Sequence, residues 1–176
     1  MSKRYYVNWC LWIGLMSGIY VLLYSASPLF QYGIMPASFV ALPIYFLAGA
    51  NPREFLEYAS SAVAGVAWGC LYLFLLDYLT GMGMFLLLAQ FIVVGVVTAV
   101  LCAFHFIVTP RVVFSKIPMM FGAIASSFFG DVLATPERIL PLMVTLILGL
   151  VLAIACNTGT RLLTEDGHWK FRQEKN

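Results

Sequence analysis

The chain has 176 residues, of which 62% are hydrophobic and 10% charged, with a net charge of +2 and a mean hydropathy of +0.92. Soluble domains carry about 25% charged residues because water must be met over the whole surface, so this composition excludes an ordinary soluble globule and makes lipid the main solvent. The small net charge and the scattered basic residues exclude a nucleic-acid-binding surface.

Six apolar segments follow one another, at roughly 5–26, 33–50, 58–79, 84–108, 116–131 and 138–162. The first begins after Lys3-Arg4 and outlasts the core of a signal peptide, so it is read as a retained transmembrane helix. The third, fourth and sixth are also long enough to span a bilayer, which takes about 20 residues. The second carries Pro36 and Pro43, and the fifth starts at Ile117-Pro118 and stops at Gly130-Asp131. These two are expected to be short, tilted or broken helices; re-entrant backbone is tolerated only where protein or a water-filled cavity covers it. The expected organisation is a single transmembrane domain over 1–162 and a polar cytoplasmic tail over 163–176.

With the N-terminus inside, the inner loops hold Lys3, Arg4, Arg53, Arg111, Lys116, Arg161, Lys170, Arg172 and Lys175, and the outer loops hold only Arg138. This positive-inside bias predicts two cytoplasmic termini and an even number of crossings. Tyr5, Tyr6, Trp9, Tyr20, Tyr24, Tyr58 and Tyr78 fall where interfacial aromatic belts are expected.

The halves resemble each other at an offset of 84 residues, which superimposes Asn51-Pro52 on Thr135-Pro136, Gly65 on Gly149 and Gly69 on Ala153. Three crossings per half would turn the second half upside down. The expected fold is therefore an all-α polytopic membrane protein of about six spans, in two inverted three-helix repeats (5–79 and 84–162) with short or broken second helices. Asn51 and Thr135, each before a proline at the first helical position, are expected to cap the helices that follow.

Pairs of small residues four apart, Gly14/Gly18, Gly65/Gly69, Gly95/Ala99, Ser126/Gly130 and Gly149/Ala153, mark faces on which helix backbones approach closely. Some of these faces are expected to assemble copies of the chain into a homo-oligomer. Ionisable residues are scarce within the apolar runs: His105 and Asp131 are the polar candidates, and Asp77 reads as interfacial. Cys10, Cys70, Cys102 and Cys156 lie inside apolar runs without metal-ligand spacing and read as small hydrophobes. No nucleophile elbow, zinc signature or P-loop is present, so no enzyme activity, metal or cofactor is expected.

Two stretches carry a family resemblance. They are Tyr45-Phe46-Leu47-Ala48-Gly49 with Ser61-Ala62-Val63-Ala64-Gly65-Val66-Ala67-Trp68-Gly69, and Ile117-Pro118-Met119-Met120-Phe121-Gly122-Ala123 with Phe128-Phe129-Gly130. Over most of 10–160 the chain resembles the YcdZ-like small bacterial inner-membrane proteins of unknown function. The resemblance implies a multi-pass protein of the bacterial inner membrane and no activity.

From the residues themselves, the missing ion relay, the interrupted segments and the small-residue faces point to a passive channel or facilitator. Its solute would be small and largely uncharged, moving between the halves near 33–50 and 117–131. Phe39, Tyr45, Trp68, Phe121, Ser126, Phe129 and Asn157 are the pore-lining or gating candidates, rings acting as a size gate and polar groups replacing water. The alternative is a non-transporting accessory or anchoring protein assembled through its small-residue faces.

Overall fold

A computed structural model describes residues 1–108 and 114–170. Among them every regular element is helical: α1 (Lys3–Ala26), α2 (Leu29–Tyr32), α3 (Met35–Leu47), α4 (Phe55–Gly81), α5 (Leu86–Ala103), α6 (Ile117–Phe129) and α7 (Ile139–Leu162). Short 3-10 turns at Pro52–Glu54 and Pro136–Arg138 lead into α4 and α7, and α5 runs on into a π turn at Phe104–Val108.

Among the described residues four helices are long and apolar enough to cross a membrane: Lys3–Ala26, Pro52–Gly81, Leu86–Ile107 and Pro136–Leu162. The expected second and fifth segments form helices of only 13 residues each, α3 and α6. At 1.5 Å per residue each covers about 20 Å, less than the roughly 30 Å hydrocarbon core. Both carry proline in the first turn, Pro36 and Pro118, where the missing N–H costs nothing. Each is stopped by backbone that leaves helical space, at Gly49 and Ala50 after α3 and at Asp131 after α6, all with positive φ.

The long helices divide into two classes. Within their most apolar stretches α4 and α7 are 39% and 44% buried by the protein, whereas α1 and α5 are 6% and 22% buried. So α4 and α7 form the centre, with α5 flanking α4 and α1 flanking α7. The outer helices present Val7, Leu11, Leu15, Leu22, Phe91 and Val96 outward, which accounts for the high hydropathy.

The short helices occupy the remaining sides of the central pair, α3 packing on α7 and α6 on α4, and they also touch each other. The main core joins Ala41, Tyr45, Ala62, Val66, Met119, Ala123, Leu146 and Leu150 from all four helices. Its closest approaches occur at two glycines. A Cβ on Gly65 would lie 2.5 Å from the Met120 carbonyl oxygen and 2.7 Å from Ala123 Cβ. A Cβ on Gly149 would strike the Ser38 carbonyl oxygen and lie 2.9 Å from Ala41 Cβ.

The chain after α7 folds back on the start of α1. Ser2 Oγ donates to the Asp166 carbonyl at 2.9 Å, Asn8 Nδ2 donates to the Gly167 carbonyl at 2.8 Å, and Trp12 and Trp169 lie 6.0 Å apart. The described parts of both termini therefore share one end of the bundle. Arg111, Arg172 and Lys175 lie outside the described residues.

Candidate functional site

Two ends of the short helices are held in different ways. The entry to α6 is ionic: Lys116 Nζ sits 2.6 Å from Glu54 Oε2 and 3.2 Å from Glu57 Oε2, and 5.0 Å above the Tyr58 ring. The Lys116 N–H donates to Ser61 Oγ at 3.1 Å. Hydrogen bonding to Glu54, opposed by partial burial and aided by Glu57, holds the Lys116 ammonium above the usual lysine range. Tyr45 lies buried beside this cluster, its ring centroid 4.6 Å from that of Tyr58 and tilted 45° to it, and its hydroxyl donates to the Asn51 carbonyl.

The entry to α3 is apolar. Ile34 packs against Gly130, where a Cβ would collide with it, and Gly33 lies against the Tyr24 hydroxyl and Thr145. Thr145 Oγ1 donates to the Pro141 carbonyl at 2.8 Å, so the Tyr24 hydroxyl, 2.8 Å away, is the donor of their shared bond. Thr145 stands 84 residues after Ser61, which likewise donates to a carbonyl four residues back, that of Glu57.

Two apolar clefts flank the centre at matching positions. The first, of 370 Å³ between α4 and the end of α5, is lined by Ala64, Ala67, Trp68, Leu71, Phe104, His105 and Phe114. The second, of 340 Å³ between α7 and α1, uses Leu148, Val151, Leu152 and Ala155 from α7, each 84 residues after its counterpart on α4. Its other wall includes Tyr20, Tyr24 and Ser27. A third cavity, of 450 Å³, brings Asp77, Thr80 and Asp131 together at the end where α4 finishes and α6 stops.

The pore-lining candidates do not share one cavity. Phe39, Phe121 and Phe129 are turned outward, Phe129 being 83% exposed. Tyr45 is in the core, and Ser126 donates to the carbonyl of Gly122 on its own helix at 2.8 Å. Trp68 lines the first cleft, and Asn157 donates to the Gly49 carbonyl at 2.8 Å, tying the end of α3 to α7. Of the polar candidates, buried His105 faces the first cleft beside Trp68, whereas Asp131 joins Asp77 in the third cavity.

The small-residue faces also separate. Gly65, Gly69 and Gly149 meet neighbours within the protein, Gly69 lying against Ser127, and Ala153 is buried in the core. Around Gly14, Gly18 and Gly95 nothing among the described residues lies within 4 Å of the point where a Cβ would stand, so these faces are open to that extent. The expected caps divide too. Asn51 accepts from the Arg53 N–H at 3.2 Å, but Thr135 makes no cap: its hydroxyl turns back to the carbonyls of Gly130 and Asp131. Thr135 has φ −127° and ψ 69°, outside the extended conformation that Asn51 adopts and that a capping residue usually needs.

The Lys116 cluster is the feature that residue reading missed. Its signal was present in Glu54 and Glu57, three apart at the start of a helix and thus on one face. Their partner, 59 residues beyond Glu57, could be assigned only once α6 was seen to lie on α4.

These features define an all-helical protein of membrane type, with four helices able to span and two short apolar helices inserted among them. The chain belongs to a family described as "Protein of unknown function (DUF1097)", whose model matches residues 10–161. No curated protein and no solved structure matches it.

Proposed function

We propose that the protein is a passive facilitator for a small, largely uncharged solute, built from two inverted three-helix halves in which α3 and α6, too short to span alone, complete the second and fifth of six crossings together with the turns that flank them. The observation that carries this is the exchange of short helices, α3 onto α7 and α6 onto α4, at glycines 84 residues apart. Inverted halves with short or interrupted segments at matching places build their pathways along the interface between them. Here that interface lies along α3 and α6. Its buried polar side chains, among the described residues, include Ser38, Ser61, Ser126, Ser127 and Thr145 and the hydroxyl-bearing rings of Tyr45 and Tyr58, with His105 at the flank and no buried carboxylate or ammonium. Hydroxyls suit a neutral solute, whereas ion coupling needs buried ionisable groups.

The same reading extends to place and assembly. The shared end of the termini is cytoplasmic by the basic-residue bias, the membrane is the bacterial inner membrane of YcdZ-like proteins, and copies associate through the open Gly14/Gly18 face. No catalytic step is assigned.

The test is flux of urea, ammonia and glycerol into proteoliposomes of the purified protein, compared with empty liposomes. Faster entry of at least one solute is expected, and entry equal to that of empty liposomes for all three sinks the proposal. One observation favours the accessory-protein alternative: Tyr45, Val66, Met119 and Ala123 fill the space between the halves. That alternative predicts no flux and a stoichiometric partner on gentle purification.

A further inference from the structure

A polar side chain inside a membrane needs a hydrogen-bond partner in the protein, because hydrocarbon offers none. Ser126, Ser127 and Thr145 meet this need by donating to carbonyls one turn back on their own helices. Tyr72 and Thr98 share a bond of 2.7 Å between α4 and α5, and Asn157 donates to the Gly49 carbonyl.

Gln90 on α5 departs from this pattern. Its side chain is exposed and makes no hydrogen bond among the described residues. It belongs to the spanning stretch Leu86–Ile107, and no polar side chain stands between Thr80 and Gln90 or between Gln90 and Thr98. Along the helix it lies roughly 27 Å from Val108, the last residue described before 114. Its surroundings are apolar and open. On the side toward α4, α5 buries Ala89, Val93, Val97 and Leu101, whereas Leu87, Phe91 and Val94 around Gln90 are exposed. Leu87, three residues back, and Val94, four residues on, share a face with Gln90.

We infer that this face of α5 is a contact with a second copy of the chain, in which the two Gln90 amides bond to each other across a two-fold axis normal to the membrane. The reason for a second copy lies in the amide itself, which carries both a donor and an acceptor. Copies inserted the same way place Gln90 at one depth, and a two-fold axis sets each NH2 group opposite the other's carbonyl, so both are satisfied at once. Side-chain amides hold membrane helices together in this manner, and Leu87, Phe91 and Val94 pack around the pair. The contact is additional to the one at Gly14 and Gly18: α5 lies against α4 and α1 against α7, so the two share no residue. It does not depend on solute flux.

The test is thiol cross-linking in membrane vesicles, using the full chain with its four cysteines replaced by alanine. A short bis-thiosulfonate linker should capture Val94→Cys as a species of twice the chain's mass. Ala99→Cys, on the other side of α5 from Gln90, should stay single. Adding Gln90→Leu to the Val94→Cys chain should slow capture about tenfold, with helicity unchanged because leucine suits an exposed apolar face. Gln90→Asn, which keeps the amide, should slow it less. If the cysteine-free chain fails to fold, the same capture is read with only the exposed Cys10 replaced, against that chain without Val94→Cys. No capture at 94, equal capture at 94 and 99, or capture that Gln90→Leu leaves unchanged would each overturn the contact. Capture to a protein of different mass would overturn it by assigning the face to another partner.

Discussion

The two short helices meet their long partners in the same way at the centre and in opposite ways at their entries. At the centre, Gly65 takes the backbone of α6 and Gly149 the backbone of α3, with Ala123 and Ala41 as the facing methyls. At the entries, Lys116 is clamped by two carboxylates, whereas Ile34 is packed on Gly130. The common part answers a demand that acts on both contacts: among apolar helices, close approach of two backbones requires small side chains. The divergent part lies at opposite ends of the bundle, and there the chain is free to use charge in one place and apolar packing in the other.

The largest expected effect tests the common part. Gly65→Val and Gly149→Val should each cost about 3 kcal/mol or more, because the added side chain meets a fixed backbone. The measure is retention of a monodisperse, helical species in detergent; a tolerated valine at either position would break the equivalence of the two contacts. Ile34→Ala should cost about 2 kcal/mol for a partly buried side chain. By contrast Lys116→Met should cost roughly 1 kcal/mol, since Glu54 and Glu57 are 37% and 43% exposed and water screens the pair. Added salt should shrink the Lys116 effect and spare that of Ile34; equal salt sensitivity of the two variants would remove the contrast.

The same clamp has a pH signature. A lysine whose folded pKa is raised contributes its full stabilisation below the unfolded value of 10.5 and loses it as pH rises through the folded value. As pH rises above about 10.5 the wild type should therefore lose melting temperature faster than Lys116→Met, and parallel curves would show that the clamp contributes nothing there. The smallest effect is expected at the open face. Gly14→Ala and Gly18→Ala should leave protomer stability within about 1 kcal/mol, towards gain, because alanine favours helix and nothing crowds the site. If copies associate there, the same substitutions should loosen the oligomer seen by light scattering.

Much was legible along the chain. Composition pointed to a helical protein of membrane type, and the proline and glycine punctuation located two short helices, ending within three residues of the expected bounds. Those features are local: hydropathy, helix length and the missing N–H of proline act within one turn or one segment. Three things were decided only by tertiary structure. The small-residue pairs look alike in sequence, yet Gly65 and Gly149 are filled by a neighbouring backbone while Gly14 and Gly18 stand open. The aromatic candidates Phe39, Phe121 and Phe129 lie outward although Tyr45 is wholly buried, because nearly every side chain in such a helix is apolar and periodicity carries no signal for which face is inward. Lys116 reaches Glu54 across 62 residues, and Trp68 reaches the cleft of His105 across 37. Contacts of that separation follow from which long helix each short helix or π turn lies against, and that choice is made by packing of the whole bundle.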